Sequence, residues 1–274
     1  VATEQDAIAL CAEPRTRESI AHDLRELGVT AGMTVLVHSS LSALGWVCGG
    51  PVAVIQALMD VVTPDGTIAM PAMSASNSDP AEWRDPPVPA SWFATIRDHM
   101  PAYDPATTPT RGMGFIAEVF RSWPGVVRSA HPNTSFSAWG RNAHTVVDHH
   151  ELAYCMGEHS PLARLYDLDA AVVLLGVGYD HNSCFHLAEY RAPGAASLSE
   201  GSAIMLDGLR VWATYQDIVL HDERFARFGA AFEQECVVNI SYVGSAQSRL
   251  FSLRHAVDFA VEQVNVERQQ AEPS

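Results

Sequence analysis

His186 and Glu189 stand three residues apart in Asn182-Ser183-Cys184-Phe185-His186-Leu187-Ala188-Glu189, shortly after an apolar run from Ala170 to Val177. That run has the length and β-branched content of a buried strand. Gly176 and Gly178 break it, and Asp180 to Ser183 carry turn and cap residues ahead of a short helical pattern. With Ser183 as N-cap, His186 falls in the first helical turn and Glu189 on the same face. An imidazole so placed can take a proton at neutral pH while the carboxylate holds its other nitrogen, which is the chemistry of a general base. The helix N-terminus disfavours imidazolium and the carboxylate favours it, so the two effects oppose each other. A histidine that only hydrogen-bonds within the core fits the same spacing.

Other residues invite different chemistry. Cys184 lies two residues from His186, but a thiolate nucleophile would require an acyl-enzyme, and a packed thiol fits equally. His144, Asp148, His149 and His150 suggest a metal cluster, yet adjacent residues on a helix point about 100° apart and no HExxH spacing occurs. No metal is expected. His38-Ser-Ser-Leu-Ser-Ala-Leu-Gly45 and Gly49-Gly50 form a hydroxyl- and glycine-bearing loop between a strand and a helix that opens at Pro51. Such a loop presents backbone N–H groups to an anion, or simply turns the chain. It is neither a Walker A loop nor GxGxxG. Thr110-Arg111-Gly-Met-Gly114 has the same character, with Arg111 placed to meet a phosphate.

The elements that must hold these groups alternate. A helix over 15–27 ends at Gly28, strands cover 33–37 and 67–71, and helices follow at 91–100 and after Gly114 with Phe115, Ile116, Val119 and Phe120 on the buried face. A helical stretch covers 141–151, and Ser160-Pro161 caps the next helix. Residues 203–215 read as a hairpin turning at Asp207-Gly208. A helix at 222–235, a strand at 236–243 and a long amphipathic helix from Ser245 to about Val264 close the pattern, with residues 266–274 expected to fray. The expected fold is α/β: a mixed β-sheet flanked by helices, with a β-hairpin insertion in the C-terminal third, all in one domain over 1–274.

The 274 residues are 47% apolar and carry a formal charge of −15, which makes nucleic acid or an anionic membrane an improbable partner and draws in cations. Five scattered cysteines without a CxxC pair point to reduced thiols. With no run of eighteen apolar residues and no signal-like start, a soluble, cytoplasmic protein is expected. A homodimer is compatible with the sequence.

Four blocks go beyond pattern: VLVHSSLSALGWVCGGP, TPTRGMGFIAEVFRSWPGVVRSAHPNTSF, GEHSPLARLY and VLLGVGYDHNSCFHLAEYRA. In series, across roughly residues 15 to 265, they resemble the aminoglycoside 3-N-acetyltransferase family. The resemblance implies acetyl-CoA as co-substrate, a cationic aminoglycoside as acceptor, and antibiotic resistance as outcome. It implies that Ser39, Ser40, Leu41, Ser42 and Gly45 help bind coenzyme A, and that Arg111, Met113, Ser135 and Phe136 border it. It further implies His186 as catalytic base in the segment with Asn182, Ser183 and Glu189, Asp217 as its acidic partner, and His159 near the acceptor amine.

An ammonium with pKa near 10 must lose a proton before attacking a thioester, and a histidine can take it. Acidic residues would hold the remaining ammonium groups; the candidates are Asp79, Glu82, Asp217, Asp222 and Glu223, with Asp85 in the same flanking segment as the first two. Some relatives acylate other amines, and residues 74–105 depart from the family's usual pattern. Two other classes compete: a protein that binds a cationic small molecule or CoA without turnover, and a hydrolase, which the missing GxSxG and HExxH signatures weaken.

Overall fold

Three parallel strands form the centre of the structure, a computed structural model that describes residues 4–9, 11–84 and 86–271. These are β1 (Thr34–Ser39), β2 (Thr67–Pro71) and β5 (Ala171–Leu175), with β1 in the middle. Outside β2 lie β4 (Phe136–Gly140) and the short β3 (Val127–Arg128), and outside β5 lie β9 (Ala246–Ser252) and β8 (Asn239–Val243), all antiparallel. The seven-stranded order is β3-β4-β2-β1-β5-β9-β8.

The alternation of β1 explains why both faces are covered. Val35 and Val37 point into one apolar cluster, with α2 (Arg17–Leu27), α3 (Gly50–Val62) and α5 (Gly114–Arg121). Leu36 points into the other, shared with α6 (Ala143–Val147), α7 (Pro161–Asp167), α8 (Cys184–Arg191), α9 (Phe225–Glu235) and α10 (Leu253–Ala271). Strands buried on both sides need apolar residues at every position, and β5 has them. Two further helices, α1 (Glu4–Ala9) and α4 (Phe93–His99), lie outside this sandwich of layers.

The chain leaves β1 toward β2 on one side, and β5 pairs on the other, so the carboxyl ends of β1 and β5 flank a crevice where the strand order reverses. At the end of β5, Gly176 takes φ +66°, and a Cβ there would stand 2.7 Å from the Ala43 Cβ and 2.8 Å from the Ala246 Cβ. Only glycine lets the chain turn away so close to its neighbours.

The hairpin, β6 (Ser197–Leu206) and β7 (Leu209–Ile218), forms a separate two-stranded sheet. It turns at Asp207 and Gly208, both with positive φ, as expected from the sequence. Two expectations are corrected. Residues 246–252 are not the start of the last helix but strand β9, hydrogen-bonded to β5 from Ala171↔Ser252 onward. Their apolar positions fit both periods, and pairing with β5 decides. Nor does the chain fray from 266, because α10 continues through Ala271; 272–274 and Asp85 lie outside the described residues. Among the described residues no helix is long and apolar enough to cross a membrane.

Candidate active site

The crevice opens into a cavity of about 660 Å³, within the range of roughly 300–1,000 Å³ that holds small organic ligands. The end of β1 and its loop supply His38, Ser39, Ser40, Leu41, Ser42 and Gly45, and the segment after β5 supplies Val177, His181 and Ser183. Gly50 and Gly114 bring the N-terminal ends of α3 and α5 to the wall, and Met113 and Phe115 line it as well. Hydroxyls together with two helix N-termini make a donor-rich surface suited to phosphate and amide groups. Phe115, expected in the core, is instead 63% exposed and belongs to this wall. Glu4 and Ala7 of α1 close another side, with the Trp46 indole donating to Glu4 Oε1 at 3.0 Å.

His186 Nδ1 lies 2.8 Å from Glu189 Oε2. Because a carboxylate can only accept, the proton sits on Nδ1 and the Nε2 lone pair is left to act. Glu189 is fully buried, and its Oε1 accepts from the His221 backbone N–H at 2.9 Å and from Arg224 Nη2 at 3.1 Å. Arg224 is held in turn by Glu267 at 2.8 Å. The Phe225 ring packs edge-on against the imidazole at 4.7 Å. Rotamer and tautomer of His186 are therefore both fixed.

A second, smaller recess of about 130 Å³ lies under the hairpin, lined by His131, Asn133, Thr134, Cys155, Leu198, Glu200, Tyr215, Asp217, Ile218 and Leu220. Asp217 is buried, and its carboxylate accepts from Tyr190 Oη (2.5 Å), Ile218 N (2.8 Å) and Cys155 N (3.2 Å). Glu200 has a buried Oε2 with no hydrogen-bond partner. Burial first, and then the charges of Asp217, Glu82 and Asp79, push its carboxyl up to about 7. His131 is pushed down to about 4 by burial and stays neutral, its Nδ1 accepting from the Thr134 N–H at 2.9 Å.

Helix α8 links the two recesses. Ser183, at its start, lines the large cavity; Tyr190, four residues beyond His186, donates to Asp217 in the acidic recess. Seven residues of helix span about 10 Å. His186 lies between, three residues from one end and four from the other, so on one face.

The residues singled out in the sequence divide accordingly. Ser39, Ser40, Leu41, Ser42, Gly45 and Met113 meet at the large cavity. Arg111 is exposed at its rim, next to Gly112, with its own N–H held by Met73 O at 2.9 Å. Ser135 and Phe136 do not reach it: Ser135 Oγ donates to Ala72 O at 2.7 Å, and Phe136 is a fully buried β4 residue. Asp217 does not meet His186, because its oxygens are taken by Tyr190, Cys155 and Ile218; Glu189 is the acidic partner. His159 is exposed, its nearest acid Glu151 at 4.0 Å, and lines neither recess.

Asp79 and Glu82 do act on Glu200, but Asp79 is gripped by Arg97 at 2.7 Å and caps Ala81 N, while Glu82 meets Arg84 at 3.2 Å. Asp222 and Glu223 are exposed in the turn before α9 and line neither recess; Glu223 pairs with His221 at 2.9 Å. Cys184 is fully buried, and burial pushes its thiol up to about 12, so it is a packed thiol. Among the described residues no group of His, Cys, Asp and Glu could hold a metal ion. Glu200 was missed. The hairpin register pairs Leu198 with Asp217 and Glu200 with Tyr215, which sets Glu200 diagonal to Asp217 on one face, so that register was the available signal.

A cofactor-sized cavity, an acidic recess and a histidine–carboxylate pair on the helix that runs between them fit an enzyme of the group-transfer class. Residues 36–265 match the family model described as aminoglycoside 3-N-acetyltransferase, and the chain belongs to that family, whose members are acetyl-CoA-dependent N-acetyltransferases. It is 54% identical over 248 residues, 90% of this chain and 91% of the relative, to the SPbeta prophage-derived aminoglycoside N(3')-acetyltransferase-like protein YokD of Bacillus subtilis (strain 168). The crystal structure of YokD from Bacillus subtilis superposes with a TM-score of 0.95, covering 98% of this chain and 100% of that one. A structure of AAC-IIIb binary with CoASH (TM-score 0.84, 28% identity, covering 95% and 100%) shares the fold, as does AAC-VIa bound to sisomicin (TM-score 0.84, 31% identity, covering 93% and 99%).

Proposed function

We propose that this enzyme transfers an acetyl group from acetyl-CoA to an amine of a 2-deoxystreptamine aminoglycoside, with His186 as general base. The observation that carries the reading is His186 with its Nδ1 held by a buried carboxylate, on α8 between Ser183, which lines the donor-rich cavity, and Tyr190, which bonds Asp217 of the acidic recess. The large cavity would hold the cofactor: helix N-termini and Arg111 toward its phosphates, Ser39, Ser40 and Ser42 toward its amides. Acetyl-CoA supplies the activated acyl group, whose C–S bond breaks as the N–C bond forms.

His186 Nε2 takes one proton from the ammonium so that the free amine can attack, and Glu189 stabilises the imidazolium that results. The imidazolium returns that proton to the departing thiolate, while the new amide nitrogen releases its second proton to solvent. Glu189, held by Arg224 Nη2 and the His221 N–H, can face that charge without moving. Glu200, whose Oε2 has no partner, faces the acceptor's remaining ammonium groups, with Asp217, Asp79 and Glu82 adding to the negative field. AAC-IIIb in complex with CoASH and AAC-VIa in complex with sisomicin, both of this fold, support the two ligand classes.

The test is release of free thiol from acetyl-CoA with sisomicin or gentamicin present, together with the mass of the product. Thiol release that requires both substrates and yields a monoacetylated aminoglycoside supports the reading. A neutral or anionic amine that outpaces every aminoglycoside tested rejects the antibiotic as acceptor.

A further inference from the structure

Three histidines gather where the crevice meets α8, and they differ in what their ring nitrogens do. His186 Nδ1 is bound to Glu189 at 2.8 Å, and His181 Nε2 lies 3.3 Å from Asp180 Oδ2. His38 is 7% exposed, lines the large cavity, and its Nε2 is buried with no partner in the described structure. A buried polar atom left without a hydrogen bond costs about 1–3 kcal/mol, so a partner is expected when the site is filled.

His38 ends β1 beside the crevice, in register with Leu174 of β5. It is close enough to His186 and His181 to feel their charge, and with burial as the main cause its pKa is pushed down to about 3. The ring is therefore neutral at working pH and carries one N–H.

We propose that His38 is a catalytic residue, donating from Nε2 to the acyl carbonyl oxygen of the bound acetyl thioester. The inference rests on the acetyltransferase reading above and adds a group which that reading does not use. The carbonyl carbon must lie within reach of an amine that His186 deprotonates, so its oxygen belongs in the same crevice. Negative charge gathers on that oxygen as the amine adds, and a fixed donor in a dry site is worth most there. A neutral imidazole suits the task. It donates without a second positive charge beside the imidazolium that forms at His186, and it keeps its proton throughout.

The test has two arms. In wild-type enzyme with ¹⁵N-labelled histidine and no amine, acetyl-CoA should shift the His38 Nε2 resonance and CoA, which has no carbonyl at that point, should not. In kinetics with sisomicin, His38→Leu should lower kcat by about 10²–10³. The same variant should bind CoA by calorimetry within about threefold of wild type. His38→Gln, whose amide N–H can donate, should recover at least about a tenth of the wild-type kcat.

A His38→Leu enzyme within about tenfold of wild-type kcat, or one that loses CoA affinity in step with kcat, overturns the proposal. So does a His38 resonance that answers CoA and acetyl-CoA alike, or neither; should His38→Leu not fold, that spectrum decides. Failure of wild-type enzyme to release thiol with any amine would instead strike the acetyltransferase reading itself.

Discussion

On one side of His186 the wall is hydroxyls, glycines and helix N-termini, most of it within two short stretches, 37–50 and 112–117. On the other side stand two carboxylates of the hairpin, Glu200 and Asp217, among loop residues drawn from 131 to 220, with the charges of Asp79 and Glu82 felt at Glu200. The first surface offers donors to an anion; the second offers acceptors to a cation. The division suits a reaction in which a polyanionic donor and a polycationic acceptor must meet without each occupying the other's place. It follows that changes on the two sides should separate in kinetics, and changes in the α8 pair should affect turnover with both substrates bound.

The largest separation is expected at the pair. Glu189→Gln keeps the side chain's shape but leaves the imidazolium without its carboxylate, so kcat should fall by about 10²–10⁴ with both KM values little changed. Steady-state kinetics with both substrates varied checks this. A loss confined to KM for acetyl-CoA would place the pair in binding.

Next comes Glu200. An ammonium bonded to this carboxylate gains a charge-assisted hydrogen bond, so Glu200→Gln at pH 8 should raise the amine KM by about tenfold and leave the acetyl-CoA KM alone. Its carboxyl titrates near 7, so below about pH 6 the side chain is protonated and the variant and wild type should converge. The same titration has a stability consequence. A carboxyl raised above its unfolded value of 4.5 favours the folded state only at low pH, and that contribution is lost as pH climbs from about 4.5 through 7. Glu200→Gln should therefore raise Tm at pH 8 relative to wild type and not at pH 4, by differential scanning calorimetry.

On the opposite side, Arg111 is exposed at the rim, where an ionic contact is worth about 0.2–1 kcal/mol. Arg111→Ala should thus raise the acetyl-CoA KM only about twofold to fivefold, with the amine KM unchanged. Salt gives the smallest effect. With −15 formal charge overall, raising ionic strength should weaken attraction for the amine and relieve repulsion of the anionic cofactor. The amine KM should rise and the acetyl-CoA KM should not; parallel rises would contradict the division of charge.

The two sides also differ in how far the sequence revealed them. The loops that line the large cavity are local: Ser39 to Gly45 sit where a strand must end and a helix begin, so loop composition and position coincide. The His186–Glu189 pair was equally local, three residues on one helical turn. The acidic recess depends on distant segments meeting. Asp217 belongs to it, yet its expected partner was His186, while Tyr190, Cys155 and Ile218 take its oxygens. Glu200 became visible only through the register of β6 against β7. The sequence places β9 inside the last helix because Leu250 stands at helical spacing from Leu253, Val257, Ala260 and Val264, and only pairing to β5 distinguishes the alternatives. Ser135 and Phe136 followed a loop that looked like the others but closes inward, onto Ala72 and the core.

The claim at the centre is that His186 moves the proton between two independently formed binding surfaces. It is tested most directly in His186→Ala, by thiol release with acetyl-CoA and sisomicin, and by calorimetry of CoA and sisomicin separately and together. The account predicts that kcat falls by about 10²–10⁴ while each ligand binds within about threefold of its wild-type affinity and both bind at once. Retention of more than about a tenth of the wild-type kcat, or loss of either ligand's binding, would contradict it.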